Sequence, residues 1–520
     1  MLSKLNLRNL ALPFSLLAAG AASADIVNLT SPDGNFSASG EFVSFENGTY
    51  TIRTVLGDMS IPAATVICDG VDCPSDEPEA AHVDVEFVGS DTIGQELMPL
   101  MLAGFANSRG SVLDQILAPD GTLVYEMIGD QGFGETIGSF AIDASNSSNA
   151  FTALEAQENV IGMSARRILR EEARTLTNSG AGQMTRIEQE HIIGVDSIVA
   201  VVNSGNPVDT INIRDLARIY RGDITNWSEV GGPNMPIIVY SRPSDAATRT
   251  QFDAQIFGAA DVIQVARIAG SSTDMANKVN TNPGAIGFVG FAFQNGTKPL
   301  NLITECGIAV NASTFSAKTE EYPLVRRLYL YNRQDGLANN GNSFLEFAIS
   351  EDADGVVEKA GYISLGVERV SQADSQSEML SLLNSTTDPF ELGILRDMLI
   401  ERMQYDRIST TFRFASGSNQ LERKSILDLE RLSNYLETVP AGTEVALVGY
   451  TDSDGAFSSN RSLSVRRADE VIEALQQVGG ERLSNVTFSS LGFGELAPAA
   501  CNTTNEGKGI NRRVEVWVRS

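Results

Sequence analysis

The chain has 520 residues, 42% of them hydrophobic and 20% charged, and carries a formal net charge of −28. A single core stops growing near ~250–300 residues, so about two or three domains are expected, and the balanced composition excludes disordered and fibrous classes. So acidic a surface repels the phosphates of nucleic acid, which excludes that partner and makes any anion site a local exception.

Residues 1–24 read as a cleaved secretory signal: Lys4 and Arg8 form a basic start, Leu10 to Leu17 a mostly apolar stretch, and Ala22-Ser23-Ala24 a small-residue cleavage site. No cysteine follows that site to carry a lipid, and no later run reaches the ~18 apolar residues of a membrane helix. The mature protein is expected outside the cytoplasm, where its four cysteines suit an oxidising environment. Cys68 and Cys73 read as a small disulfide-closed loop, whereas Cys306 and Cys501 either pair or stay free. His82 and His191 are the only histidines, so a zinc site or a Ser-His-Asp triad is poorly supplied. No catalytic residue, metal site or cofactor is expected.

Residues 25–78 alternate apolar and polar positions between turn signals such as Pro32-Asp33-Gly34, Glu46-Asn47-Gly48 and Leu56-Gly57-Asp58, which predicts a small module of short antiparallel strands. Ser75 to Glu79 reads as a linker. Across residues 79–370, strand-like runs (Val83 to Val88, Ile192 to Val202, Pro236 to Tyr240, Ala285 to Val289) alternate with helical patterns, which predicts an α/β domain with a mainly parallel sheet. Residues 371–404 begin polar, turn helical and read as a connector.

The last part, residues 405–520, predicts a compact α+β unit of order β-α-β-α-β-β. Its elements are a strand around Thr410 to Phe414, a helix striped by Leu429, Leu432 and Leu436, a strand Thr443 to Tyr450, a helix from about Leu463, and a closing strand Val514 to Val518. Asp452 follows a strand and Arg467 sits early on the next helix, so the intervening loop can bring an acceptor and a planar donor fork to one cleft suited to a zwitterion.

Gly449-Tyr450-Thr451-Asp452-Ser453-Asp454-Gly455, Asn460, Leu463-Ser464-Val465-Arg466-Arg467-Ala468, Gly492-Phe493-Gly494 and Asn511-Arg512-Arg513-Val514-Glu515 stand in order, and this segment closely resembles the OmpA-like peptidoglycan-binding family. The resemblance implies that Asp452 takes the ammonium and Arg467 the carboxylate of diaminopimelate in a peptidoglycan stem peptide, with Thr451 and Asn460 orienting the loop or touching the ligand. Arg512 and Arg513 are expected to be structural.

The central region resembles the phosphate-binding periplasmic proteins of ABC importers, a two-lobed type II binding fold. The segments that carry this are Gly89-Ser90-Asp91-Thr92-Ile93-Gly94, Ile161-Gly162-Met163-Ser164-Ala165-Arg166, Arg242-Pro243-Ser244-Asp245-Ala246-Ala247-Thr248-Arg249 and Ser271-Ser272-Thr273-Asp274. It implies an oxyanion, phosphate first, held by Ser90, Asp91, Thr92, Ser164, Arg166, Arg242, Thr248 and Ser272, with helix N-termini near Thr92, Thr248 and Ser272 supplying backbone donors. Ser90 or Asp91 is expected to cap its helix. Relatives carry Gly-Ser-Gly before the threonine, whereas Asp245-Ala246-Ala247 here removes a hydroxyl.

The leading expectation is therefore a periplasmic solute-binding protein moored to peptidoglycan, at the inner face of the outer membrane, with an ABC importer permease as partner. The alternative is a peptidoglycan-bound envelope scaffold or adhesin whose binding domain has lost or changed its ligand. No enzyme is expected.

Overall fold

The computed structural model describes residues 26–519 except 32, 33, 35, 47, 48, 71, 72, 74–82, 120, 158, 245, 259–264, 338, 374–379, 381, 384, 385, 387 and 422–424. The signal segment, the linker at 75–79, His82 and Asp245 therefore lie outside the described residues. Among the described residues, no helix is long and apolar enough to cross a membrane.

Residues 26–73 form a unit of their own. Five strands make one antiparallel sheet in the order Gly57–Pro62, Thr49–Thr54, Ser37–Glu46, Ile26–Thr30, Ile67–Asp69. The alternation has the predicted period, and Val27, Leu29, Tyr50, Ile52, Ile61 and Val66 form its small core. Gly57, at φ +110°, follows a two-residue turn at Val55-Leu56, and a disulfide joins Cys68, within the last strand, to Cys73.

In the larger unit, one long sheet runs through two lobes in the order Arg267–Ile268, Ile238–Ser241, Ala285–Gly290, Glu190–Val202, Val325–Tyr331, Val160–Ser164, Val85–Ser90, Thr136–Ser145, Leu123–Ile128, Val112–Leu117. Each lobe has its own core, one gathered around Phe87, Phe105, Phe140 and Phe344, the other around Tyr220, Phe252 and Phe288. The expectation of a mainly parallel sheet is corrected. Parallel pairing is confined to Val85–Ser90 with its two neighbours and Ile238–Ser241 with its two. The chain passes out of the first lobe on Glu190–Val202 and returns on Val325–Tyr331, so these neighbours run in opposite directions.

The C-terminal sheet has the order Arg369–Ser371, Asp406–Arg413, Arg513–Arg519, Thr443–Gly449, Val486–Gly492. Alternation splits its strands between two apolar layers: Val445, Leu447, Val514, Val516 and Val518 face the helices Ser425–Glu437 and Phe457–Gly479, while Ala446, Val448 and Trp517 face the helix Pro389–Arg402. The reading of 371–404 as a connector is thus corrected: Ile394, Leu395, Met398 and Leu399 make one face of a helix that completes the core. The second long helix begins at Phe457, not near Leu463. Its buried face opens on Asn460, Ser464 and Arg467, and a polar stripe is invisible to hydrophobic periodicity. Cys306 and Cys501 are paired, joining this domain to the second lobe.

Candidate functional site

The first-lobe side of the cleft begins where the strand Val85–Ser90 turns into a helix. Gly89 has φ +132°, and a Cβ there would stand 2.2 Å from the Met163 carbonyl oxygen, so only glycine lets the two strand ends lie this close. Ser90 is buried. The expected side-chain cap is not formed; the Asp91 carboxylate accepts from the adjacent Thr92 N–H at 2.7 Å, and the helix opens with a π segment, Ile93–Leu97.

Thr92 is fixed from far along the chain. Arg326 donates to its hydroxyl at 3.2 Å while holding Asp196 with contacts of 2.9 and 3.0 Å, and the Tyr362 hydroxyl donates to the Thr92 carbonyl oxygen at 2.7 Å and to Glu96 at 3.3 Å. Burial, aided by the fields of Asp196 and Asp91, pushes the Glu96 carboxyl above its ordinary value against the pull of Tyr362 and Arg242.

On the second-lobe side, Arg242 donates to the Ser272 hydroxyl at 3.0 Å and to the Gly270 carbonyl oxygen at 3.3 Å. Burial lowers its pKa, and the charges of Glu96 and Asp274 oppose that. Ser272 is the first residue of the helix Ser272–Thr281, whose cap is the Ser271 hydroxyl accepting from the Asp274 N–H at 3.0 Å. Thr248 sits in the first turn of Ala247–Phe257, where the N-cap Ala246 offers no side-chain acceptor. Buried Arg249 fastens this helix start by donating to Ser241 at 3.0 Å and pairing with Asp253 at 2.7 Å.

Ser164 and Arg166 form a separate knot. The Ser164 hydroxyl donates to the Arg166 carbonyl oxygen at 2.6 Å, and the guanidinium grips Glu172 at 2.7 and 2.9 Å, reaches Ser148 at 3.1 Å and lies over the Phe151 ring. Burial opposes ionisation of Glu172, but the bonds from Arg166 and the Leu169 N–H outweigh it and hold its pKa below the ordinary value. Among the described residues, no hydrogen bond joins this knot to Arg242, Thr248 or Ser272. Sequence reasoning missed Glu96, Arg326 and Tyr362. No local motif announces them, because strands and helices distant in sequence bring them in.

In the C-terminal domain, Thr451, Asp452, Asn460 and Arg467 are all buried around the end of the strand Thr443–Gly449. Cβ atoms at Gly449 and Gly492 would stand 1.9 Å from the Ser464 carbonyl oxygen and 2.5 Å from the Val465 side chain, so this glycine pair lets the long helix lie directly on the sheet. Arg467, the eleventh residue of that helix and not an early one, donates to the carbonyl oxygens of Ser418 at 2.9 Å, Tyr450 at 3.2 Å and Ala415 at 3.2 Å, over the face of Phe414. Burial brings its pKa down to about 10 against the field of Asp452.

Asp452 pairs with Arg512 at 2.8 Å, so Arg512, read as structural, meets the candidate ligand residue directly. Asn460 donates to Glu495 at 2.9 Å, the Thr451 N–H donates to the Gly494 carbonyl oxygen at 2.8 Å, and the Thr451 hydroxyl is buried without a partner. Among the described residues, no group of three or more His, Cys, Asp or Glu side chains could hold a metal ion.

Residues 127–352 match the model of the PBP superfamily domain, and residues 413–512 that of the OmpA family. The phosphate-binding protein PstS of Bacillus subtilis is 28% identical over 35% of this chain and 60% of its own length. Outer membrane porin F of Pseudomonas fluorescens is 33% identical over 22% of this chain and 35% of its own. The chain thus spans less than two thirds of either curated relative. An ABC-type phosphate transport receptor from Vibrio cholerae, of known structure, aligns with 54% of this chain and 99% of its own at 23% identity and a TM-score of 0.41. The chain joins a domain of the PBP superfamily to a C-terminal domain of the OmpA family.

Proposed function

We propose that the protein is a solute-binding protein of the cell envelope. Its two-lobed domain closes on a small oxyanion, phosphate first, and its C-terminal domain holds peptidoglycan without a covalent bond. The observation that carries this reading is the joining of the two matched families in one chain. The paired Arg242 and Ser272 at a helix start supply charged and neutral donors to an anion, and Glu96, which shares the Tyr362 hydroxyl with the Thr92 carbonyl oxygen, lies in the field of Arg242. Thr248, Ser90 and Asp91 complete the set, and Ser164 and Arg166 join it only if Glu172 releases the guanidinium.

In the C-terminal domain Asp452 takes an ammonium by exchanging Arg512 for it, and Arg467 takes a carboxylate, as diaminopimelate would offer. Thr451 and Asn460 line that site. The protein would sit in the periplasm against the cell wall, near the inner face of the outer membrane, and deliver its ligand to an importer permease.

Calorimetric titration with phosphate, arsenate and sulfate tests the first half. Binding lost in Arg242→Ala is expected, and silence with every anion defeats it. Co-sedimentation with purified sacculi tests the second half: Asp452→Ala and Arg467→Ala should both stay in the supernatant, and retention of both removes the assignment.

A second reading, an envelope scaffold with a lost or altered ligand, is favoured by one feature. Glu96, Asp91 and Asp196 crowd the cleft with carboxylates while Ala246 withholds a hydroxyl from the helix start.

A further inference from the structure

The lobes are joined by the paired strands Glu190–Val202 and Val325–Tyr331, whose register slips between Ile192 and Gly194, and by a bridge between Val195 and Ile363 with backbone bonds of 2.8 and 2.9 Å. The C-terminal domain lies over these crossings. A cavity of about 70 Å³ is lined by Ile192, Val195 and Arg327 of the crossing strands and by Thr411, Arg413 and Arg431 of the C-terminal domain.

That domain is fastened to both lobes. To the second lobe the link is covalent, Cys306–Cys501, and ionic, with Arg407 gripping Glu321 through both terminal nitrogens. To the first lobe it is made by Arg431 on the helix Ser425–Glu437. Arg431 pairs with Asp354 at 2.9 and 3.2 Å and donates to the carbonyl oxygens of Ile349 at 2.8 Å and Ser350 at 3.1 Å, while Asn434 donates to Glu351 at 3.1 Å. The Arg431 and Asp354 side chains are only 10% and 20% exposed, so parting them would leave poorly solvated charges.

Lobe motion about a hinge changes the distance between points fixed on opposite lobes. Asp354 and Cys306 are two such points, and a folded domain fastened at both resists that change.

We propose that the C-terminal domain is a brace across the hinge: the disulfide makes it part of the second lobe, its Arg431 grips the first, and this grip sets the interlobe angles open to the cleft. The affinity of a two-lobed domain depends on how often its competent angle is populated, so loosening the grip changes ligand affinity with no cleft residue altered. The affinity half rests on the anion reading above; the angular half does not.

The test uses the full chain with both disulfides intact and a fluorophore pair introduced as non-canonical residues at exposed Glu155 and Asp223. Arg431→Ala and Asp354→Asn should each shift or broaden the interlobe distance without ligand, and each should change the Kd for inorganic phosphate by about threefold or more. Asp354→Asn keeps the side-chain volume and carries the test if Arg431→Ala does not fold. A distance that neither substitution moves overturns the brace, and a moved distance with unchanged phosphate affinity overturns its control of ligand binding. Absence of phosphate binding in the parent chain defeats the anion reading instead, and the distance alone then decides the brace.

Discussion

Arg467 is a fully buried guanidinium whose donors go to three backbone carbonyl oxygens, while the neighbouring acid, Asp452, is held by Arg512. Carbonyl oxygens satisfy a cation without neutralising it, so the site keeps net positive character close to a carboxylate already matched by another arginine. Removing Arg512 takes the ion-pair partner from buried Asp452, and breaking a buried pair from one side costs about 3–5 kcal/mol. Arg512→Ala is therefore expected to lower the urea midpoint, whereas Arg512→Lys should recover most of it; equal losses in the two would mean that the ion pair is not what stabilises this corner. The pairing of Asp452 with position 512 was not legible in the sequence. Sixty residues separate the partners, and only the antiparallel placement of Arg513–Arg519 beside Thr443–Gly449 brings them together.

At the scale of elements, hydrophobic period served well wherever a face is apolar and failed where it is polar. The strands Thr443–Gly449 and Arg513–Arg519 and the helix Ser425–Glu437 carry alternating or i, i+3, i+4 apolar positions and lie where the pattern puts them. The head of Phe457–Gly479 buries Asn460, Ser464 and Arg467, so its first turns carry no apolar stripe to be read. The helix Pro389–Arg402 was legible as a helix but not as a core element, since its acidic and basic positions hide the four-residue face. Leu395 is almost wholly buried in that layer. Leu395→Ala should cost about 2–5 kcal/mol, read as a lowered urea midpoint of the intact chain, and a loss near zero would show that this helix is an appendage.

At the scale of the molecule, a buried ionic cluster ties the two halves: Arg407 joins Glu321 of the second lobe to Glu515 of the C-terminal sheet, and Arg513 closes on Glu515 from the other side. Burial opposes ionisation of both glutamates, but Arg407, with Arg513, outweighs it and holds both below the ordinary carboxylate value. The native state therefore binds fewer protons than the unfolded chain. The stabilisation is complete above about pH 4.3, the unfolded glutamate value, and declines as pH falls below it. The urea midpoint should drop between pH 6 and about pH 3.5, and the drop should shrink in Glu515→Gln; a pH profile identical in that variant would exclude the cluster as its source.

What the sequence determined by itself is local: the period of strands and helices, the three-part organisation, and motif strings whose residues lie within a few turns of one another. Those features follow from backbone geometry and burial over ten or twenty residues, which a linear string records. What only the tertiary structure decided is which distant residues meet. The Cys306–Cys501 pair, the arginines that occupy Asp452 and Thr92, the acid that occupies Arg166 and the grip of Arg431 on Asp354 each depend on how whole elements pack. Charge partners are chosen by proximity in the folded chain, and no periodicity in one partner's neighbourhood encodes the position of the other.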